Sequence, residues 1–492
     1  MAFLEITGAL VLLLVSYVVY SASTHPRLGA RPPPGPTPIP VLGNLHQVPA
    51  EGQHIVFTDW GKKYGPVVYA QCLSVKMVIL NTLQAADDLL DKRGAIYSDR
   101  PHFGLITDVL DWKPNLPFLP YNDQWRKHRR LCQNAVGTTQ SLAGFRPLHR
   151  VESLKLLMEL MQTPEDFMLH IKRYPAALML EIAYGHSVTS IDDELVVLTD
   201  EAVCEITSLG GLASTLIDFF PAVRRVLTWL PSFSVSRRVE KVRGLVQAMM
   251  NIPYEKVKQE MASGSARPSF LKTMLEEHTQ AQDDMTPEQE RELMCLSSIM
   301  YSAGADTTGA AMLTFMLAMT LHPEVFRKAQ AEIDRVIGSS RLPDWDDRAS
   351  LPYLECVLKE VYRWNPPGSL AVPHRAMTED TYNTLHIPHG SMMIANLWGM
   401  TRDTNMYRDP DTFFPERFEQ MDKVEAELKD PRKIIFGFGR RVCPGRLLGD
   451  ASVWLAMASI ISVFDIAKAR DKDGIEISPE VAFVPGSIRR ET

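Results

Sequence analysis

A single cysteine, Cys443, sits in the stretch FGFGRRVCPGRLLG, residues 436–449, among glycines and arginines and just ahead of an apolar run. Structural cysteines are usually packed among aliphatic side chains, and these surroundings suit a thiolate better. A thiolate is a strong ligand for iron, and nearby positive charge and backbone N–H groups stabilise it. Gly437, Gly439 and Gly445 let the backbone approach a bound group closely and adopt positive φ. Pro444-Gly445 leads into RLLGDASVWLAMASIISVF, a helical run whose N-terminal dipole favours an anion at Cys443. Arg441 can reach an acidic group at the edge of whatever the sulfur holds. The spacing from Phe436 to Gly445 is FxxGxRxCxG.

A second reactive set lies in the middle of a long helical run. Thr286-Pro287-Glu288-Gln289 is a capping box with proline at the first helical position, and His322-Pro323 ends the run after Leu321. At 1.5 Å per residue this helix is about 50 Å long. Leu293 to Leu321 is mostly apolar and raises a membrane span, but YSAGADTTGA at its centre suits lipid poorly. The pattern predicts a helix through a protein core, passing something reactive. Small Gly304 and Ala305 leave room beside Asp306 and Thr307. A carboxyl there can feed protons from solvent, and a threonine hydroxyl can donate to a bound ligand. The alternative for Thr307 is a hydroxyl bonded back to its own helix carbonyls. Elsewhere, Glu360 and Arg363 in KEVYR are i, i+3 on one helix face and can pair. Trp125 and Arg129 in WRKHR are i, i+4, so ring and guanidinium share a face.

The elements that must position these groups are mainly α-helical, with a small β region. The chain has 492 residues, 45% of them hydrophobic and 23% charged, enough for a large core. A net charge of −7 weighs against a general nucleic-acid binder, and the basic run RKHRR (126–130) stands alone. Six cysteines form no CxxC pair, which excludes a disulfide framework and a zinc site and fits reduced thiols on the cytosolic side. Residues 1–23 contain the apolar run ITGALVLLLVSYVVY, close to the roughly 20 residues that cross a bilayer. No Lys or Arg precedes it, while Arg27 and Arg31 follow, so the pattern predicts an anchor with the body on the cytosolic side rather than a cleaved signal. RPPPGPTPIPVLGN (31–44), within a proline-rich hinge over 24–50, is a stiff extended strap. Val67 to Leu80 reads as a short hairpin, and β-like pieces recur near 383–395 and 475–488. Residues 51–492 would form the catalytic domain.

With the cysteine loop, AGADTT (303–308), the ExxR of KEVYR (359–363), FPERF (414–418) and the WxxxR of WRKHR (125–129) in this order, the chain resembles the cytochrome P-450 family of haem-thiolate monooxygenases. The resemblance covers nearly the whole chain. The wording of the strap, of NTLQAADDLLDKRGAIYSDRP and of DPRKIIFGFGRRVCPG is similar to membrane-bound enzymes of basidiomycete fungi.

The resemblance implies a single large haem-thiolate fold, plus one N-terminal transmembrane helix in the endoplasmic reticulum membrane and a cytosolic catalytic domain. It implies haem b with Cys443 as its axial iron ligand and Phe436 in the loop beside it. Trp125, Arg129, Arg441 and His374 (in VPHR) would face the haem propionates, with Arg375 an open substitute for His374. Asp306 and Thr307 would manage protons and dioxygen. Glu360, Arg363 and Arg417 would form a buried cluster that locks the region beneath the haem. Electrons would come from NADPH through a separate flavoprotein reductase, since the chain carries no Gly-rich dinucleotide fingerprint, with a small haem protein as a further donor. The substrate would be a hydrophobic small molecule: a secondary metabolite such as a terpenoid, or an aromatic or steroid-like xenobiotic.

Family position names 102–110, Ile299, Ala303, 368–372 and 483–488 as pocket lining, all with few charges. LIDFFPAVRRVLTWLP (216–231) reads equally as a membrane-dipping entrance and as an amphipathic core helix. Relatives continue past the equivalent of Thr492 with one more strand, so a missing C-terminal strand is expected here. Two alternatives stand beside the monooxygenase. One is a haem-thiolate isomerase or dehydratase, against which the Asp306-Thr307 pair argues. The other is a truncated, non-catalytic, membrane-tethered haem binder.

Overall fold

The computed structural model describes residues 31–190, 192–209, 234–280 and 285–481. The expected anchor over 1–23, residues 24–30 of the hinge and the segments 216–231 and 483–488 lie outside these. The chain divides into two compact units. The smaller comprises the part up to Pro101 together with Leu370–Met400 and Phe438–Arg440; the larger comprises His102–Ser369, Thr401–Gly437 and the part from Arg441 onward.

The smaller unit is built on the expected hairpin. Strands β1 (Val67–Cys72) and β2 (Val75–Leu80) pair antiparallel, with Val67 opposite Leu80. Further along the chain come β3 (His374–Arg375), β4 (Asp380–Tyr382), β5 (Leu385–Ile387) and β6 (Met392–Ala395). β6 runs parallel to β2 and antiparallel to β3, giving the order β1-β2-β6-β3, while β4 and β5 form a separate pair. Val78, Ile79 and Leu80 are fully buried, as expected of a central strand covered on both faces. The proline strap lies extended along this sheet. Tyr69 N–H donates to the Pro34 carbonyl at 3.0 Å and His386 N–H to the Arg31 carbonyl at 2.8 Å.

The larger unit is helical: α1 (Asp123–Val136), α2 (Arg146–Gln162), α3 (Phe167–Tyr184), α4 (Glu194–Ser208), α5 (Ser234–Ala262), α6 (Pro287–Leu321), α7 (Pro352–Trp364) and α8 (Arg446–Val463). α6 starts and stops where its sequence signals place it. Gln289 N–H donates to Thr286 Oγ1 at 3.3 Å and Thr286 N–H to Gln289 Oε1 at 2.8 Å, which satisfies two otherwise unpaired end groups. α3 packs closely on α6 because Gly304 has no side chain; a Cβ there would lie 2.8 Å from Met179 Sδ.

One core cluster joins Leu156 of α2, Phe315 of α6, Leu358 of α7 and Trp454 of α8, all fully buried. Each such side chain contributes about 1.5–3 kcal/mol of burial free energy. Among the described residues α8 alone is by itself long and apolar enough to cross a membrane, and 67% of that stretch is buried in protein. α6 meets the same criterion only together with Pro323–Val336, across a bend of 106°. Both carry fully buried members of this core, as core helices do.

Candidate active site

The loop 436–445 folds back on itself through Cys443 N–H, which donates to the Phe436 carbonyl at 2.8 Å. Gly437 and Gly439 take φ of 75° and 55°, a region costly for other residues. At Gly439 a Cβ would also fall 2.2 Å from the Leu90 carbonyl oxygen. Gly439→Ala is therefore expected to cost about 1–3 kcal/mol and to displace the loop. A lowered thermal midpoint by circular dichroism would register it; an unchanged midpoint would show that the backbone at Leu90 yields freely.

Cys443 sits just ahead of α8 and keeps some accessibility. Burial pushes its thiol up, while the Gly445 N–H and the charges of Arg129 and Arg446 pull it down. These opposing influences are those that a thiolate needs once a cation replaces its proton.

The second predicted set lies in the middle of α6. Tyr301, Ser302, Thr308 and Gly309 are buried, yet Ala303 and Thr307, one turn apart on the same face, are exposed. A core helix with an open face halfway along its length borders internal space. α8 abuts this stretch: a Cβ on Gly449 would lie 3.9 Å from Thr308 Oγ1. Thr307 Oγ1 donates to the Ala303 carbonyl at 2.8 Å, so its hydroxyl adopts the back-bonded state.

Asp306 lies to one side of that face. Its Oδ2 is buried without a hydrogen-bond partner in the protein. Burial, reinforced by Asp200 of α4 and opposed by Lys172 of α3, pushes the carboxyl up to about 7. Asp200 and Lys172 escaped the sequence reading, because nothing local links either to position 306.

The structure joins Arg441 to Trp125, with the guanidinium 4.4 Å from the indole ring centre and Nη2 donating to the Leu119 carbonyl at 2.9 Å. This stacking, worth roughly 0.5–2 kcal/mol, fixes the direction of Arg441. Trp125 and Arg129 share a face of α1 as spaced, but the indole is taken by Arg441. Burial lowers Arg129, and the sulfur of Cys443 lies close enough to raise it again. Phe436 packs edge-on against Tyr362, with ring centres 6.0 Å apart. His374 belongs to the smaller unit, buried, with Nδ1 donating to the Tyr97 carbonyl at 2.8 Å; Arg375 pairs with Asp99 at 3.5 Å.

Glu360, Arg363 and Arg417 form the expected buried cluster. Arg363 binds Glu360 through two bonds of 2.7 Å, and Arg417 Nε lies 3.1 and 3.2 Å from the two carboxylate oxygens. Arg363 also donates to the carbonyls of Thr401, Pro410 and Thr412, and Arg417 to those of Arg408, Asp409 and Thr412. Phe414 N–H completes the carboxylate at 2.8 Å.

Fold and loop together define a large helical protein that presents one cysteine for ligation at the start of a core helix. Haem fits the residues present: Cys443 meets a backbone amide and two guanidiniums, and the open face of Ala303 and Thr307 leaves space on α6. The family description Cytochrome P-450 matches residues 33–489. Cytochrome P-450 monooxygenase 176 of Postia placenta is 46% identical over 485 residues, covering 99% of this chain and 92% of that protein. Cytochrome P-450 monooxygenase 136 of the same fungus is 44% identical over 93% of this chain and 86% of its own length. Cytochrome P-450 monooxygenase claR of Ampulloclitocybe clavipes is 36% identical over 97% of this chain and 86% of its own. The chain belongs to the cytochrome P-450 family and is a haem-thiolate monooxygenase.

Proposed function

We propose that this monooxygenase inserts one oxygen atom from dioxygen into an apolar small molecule, a terpenoid-like secondary metabolite or an aromatic or steroid-like xenobiotic. Electrons come from NADPH through a separate flavoprotein reductase, with a small haem protein as a further donor. The observation that carries the reading is Cys443, under the influence of the Gly445 amide and of Arg129 and Arg446, just ahead of a helix that packs beside Thr308 of α6. Bound haem would supply dioxygen activation, and a thiolate ligand favours O–O cleavage over oxygen carriage. Cys443 would hold the iron. Arg441, aimed by Trp125, and Arg129 hold acidic groups at the haem edge, with His374 in the same role and Phe436 against the loop. Ala303 and Thr307 shape the oxygen side; rotation of the Thr307 hydroxyl away from Ala303 frees it to donate there. Asp306 stores a proton, held there by burial and by the charge of Asp200. Glu360, Arg363 and Arg417 keep the supporting segment in place.

Residues 1–23, apolar and followed by Arg27 and Arg31, support a single-pass anchor in the endoplasmic reticulum membrane with the catalytic part in the cytosol. The apolar character of 102–110 and of Ile299 supports a hydrophobic substrate. The test is turnover with isotopically labelled dioxygen, NADPH and a reductase, screened over apolar substrates. One labelled oxygen per product, dependent on NADPH, is the expected result. Turnover without NADPH or dioxygen would establish an isomerase or dehydratase instead.

Asp306→Asn is expected to lower kcat by on the order of 10²–10⁴-fold, the usual contribution of a positioned proton donor. With its carboxyl pushed up to about 7, Asp306 is protonated below that pH and donates less readily above it. The wild-type rate should therefore fall as pH rises through about 7, and Asp306→Asn should lose that limb. Stability carries the same signature. Between the unfolded value and about 7 the folded state holds a proton that the unfolded state has released, so wild-type stability falls as pH rises through this window. The asparagine variant should lack the fall, and equal pH profiles for the two proteins would remove Asp306 from this role.

A further inference from the structure

The cysteine loop 436–445 has two stems. One is the short helix Arg432–Ile435, which runs directly into Phe436; the other is the first two turns of α8. Neither stem holds itself in place. A helix of four residues is far below the length that is stable alone. α8 begins at Gly445 without a side-chain cap, and the glycines between the stems lend the backbone no stiffness.

A ring of four charges joins the two stems. Arg432 of the first pairs with Asp450 of the second at 3.5 Å. Asp450 pairs with Arg348 at 2.8 Å, Arg348 with Glu355 of α7 at 2.9 Å, and Glu355 with Arg432 at 2.7 Å, which closes the circuit. Signs alternate around it, and each of the four side chains is at most 25% exposed. Arg348 also lies over the Trp454 ring of α8, 5.6 Å from its centre. Arg432 is held in addition by Asp430, itself 3.6 Å from Lys359. Burial pushes the Asp450 carboxyl up, while the two arginines pull it down. The Glu360 cluster does not duplicate this ring: the carbonyls it ties lie between Thr401 and Thr412, outside the loop and both stems.

Groups that never touch a metal still set its geometry by fixing the ligand that does. We propose that Asp450 is a positioning residue for Cys443: it closes the ring, the ring clamps the stems of the loop together, and the clamp keeps the sulfur directed at the iron. The inference rests on Cys443 as the iron ligand. Asp450 carries the role because it stands on the helix that Cys443 precedes and binds both arginines through one oxygen, Oδ2. Without it Arg348 and Arg432 still share Glu355, but α8 loses its ionic tie to the other stem.

The experiment uses the full chain, loaded with haem, reduced and saturated with carbon monoxide in detergent solution. It follows conversion of the long-wavelength thiolate band to a shorter-wavelength band, at a temperature where circular dichroism shows helix content unchanged. Asp450→Ala should convert roughly tenfold faster than wild type, the scale on which partners of metal ligands act. Asp450→Glu, which keeps a carboxylate, should convert at close to the wild-type rate. The double variant Asp450→Ala with Arg348→Gln removes one charge of each sign, so it guards against misfolding from an unbalanced arginine; it too should convert fast. Equal rates in wild type and both alanine variants would overturn the proposal. So would fast conversion seen only where helix content falls with it, which would make Asp450 a support of overall stability. A wild type that never shows the long-wavelength band would instead overturn Cys443 as the ligand, and the clamp with it.

Discussion

Cys443→Ala is expected to abolish the long-wavelength absorption band that the reduced protein gives with carbon monoxide, together with all monooxygenation, and to leave the fold intact. The first half follows from ligand chemistry. Among the described residues no cluster of three or more His, Cys, Asp or Glu is arranged to hold a metal ion. Burial pushes up the Cys443 thiol as it does others, those of Cys132 and Cys295 to about 12 and those of Cys72 and Cys356 to about 11, but among these five only Cys443 has a backbone amide and two arginines opposing it. The second half follows from the way the loop is tied. The bond from position 443 to the Phe436 carbonyl uses the backbone N–H, which alanine keeps, and Gly437 and Gly439 retain their conformations. Loss of the sulfur from this half-buried residue should change stability by no more than about 1 kcal/mol. The measurement is a carbon-monoxide difference spectrum beside a thermal melt. A band that survives the substitution would remove Cys443 from the iron, and a lost melt would make the cysteine structural.

Glu360→Ala is expected to leave almost no soluble, folded protein. The carboxylate accepts from two guanidiniums and one backbone N–H, and it is wholly buried, as is Arg363. Its removal strands two cations in low dielectric. Breaking a buried pair in this way costs about 3–5 kcal/mol, a large part of the 5–15 kcal/mol that holds a typical domain folded. The damage would spread along the chain, because Arg363 and Arg417 together tie the carbonyls of Thr401, Arg408, Asp409, Pro410 and Thr412. Glu360→Gln, which keeps one acceptor and the volume, should be less severe. Soluble yield and thermal midpoint of the two variants decide the matter. An alanine variant that melts within a few degrees of wild type would show that the arginines find other partners.

Much of this molecule is legible in its sequence because the responsible interactions are short-range. The ends of α6 are fixed by a capping box and a following proline, within four residues of the positions they control. The hairpin of β1 and β2 follows from two β-branched runs joined by a tight turn. Glu360 and Arg363 meet because i, i+3 side chains always share a helix face. The cysteine loop, with its glycines and following helix, is likewise one continuous segment.

Tertiary structure decided what depends on partners distant in the chain. Arg417 completes the Glu360 cluster from another segment, and Arg441 stacks on the indole of Trp125 from more than 300 residues away. The parallel pairing of β6 with β2 brings together strands more than 300 residues apart, which no local pattern specifies. Spacing left two states open for the Thr307 hydroxyl, and packing that leaves its face of α6 open selected the bond to Ala303. Asp306 owes its raised carboxyl to burial beside Asp200 and Lys172, which sit on two other helices. Local signals set helices, turns and caps through contacts a few residues long. Burial and the choice of partner are properties of the packed whole, where each side chain competes for neighbours along the entire chain.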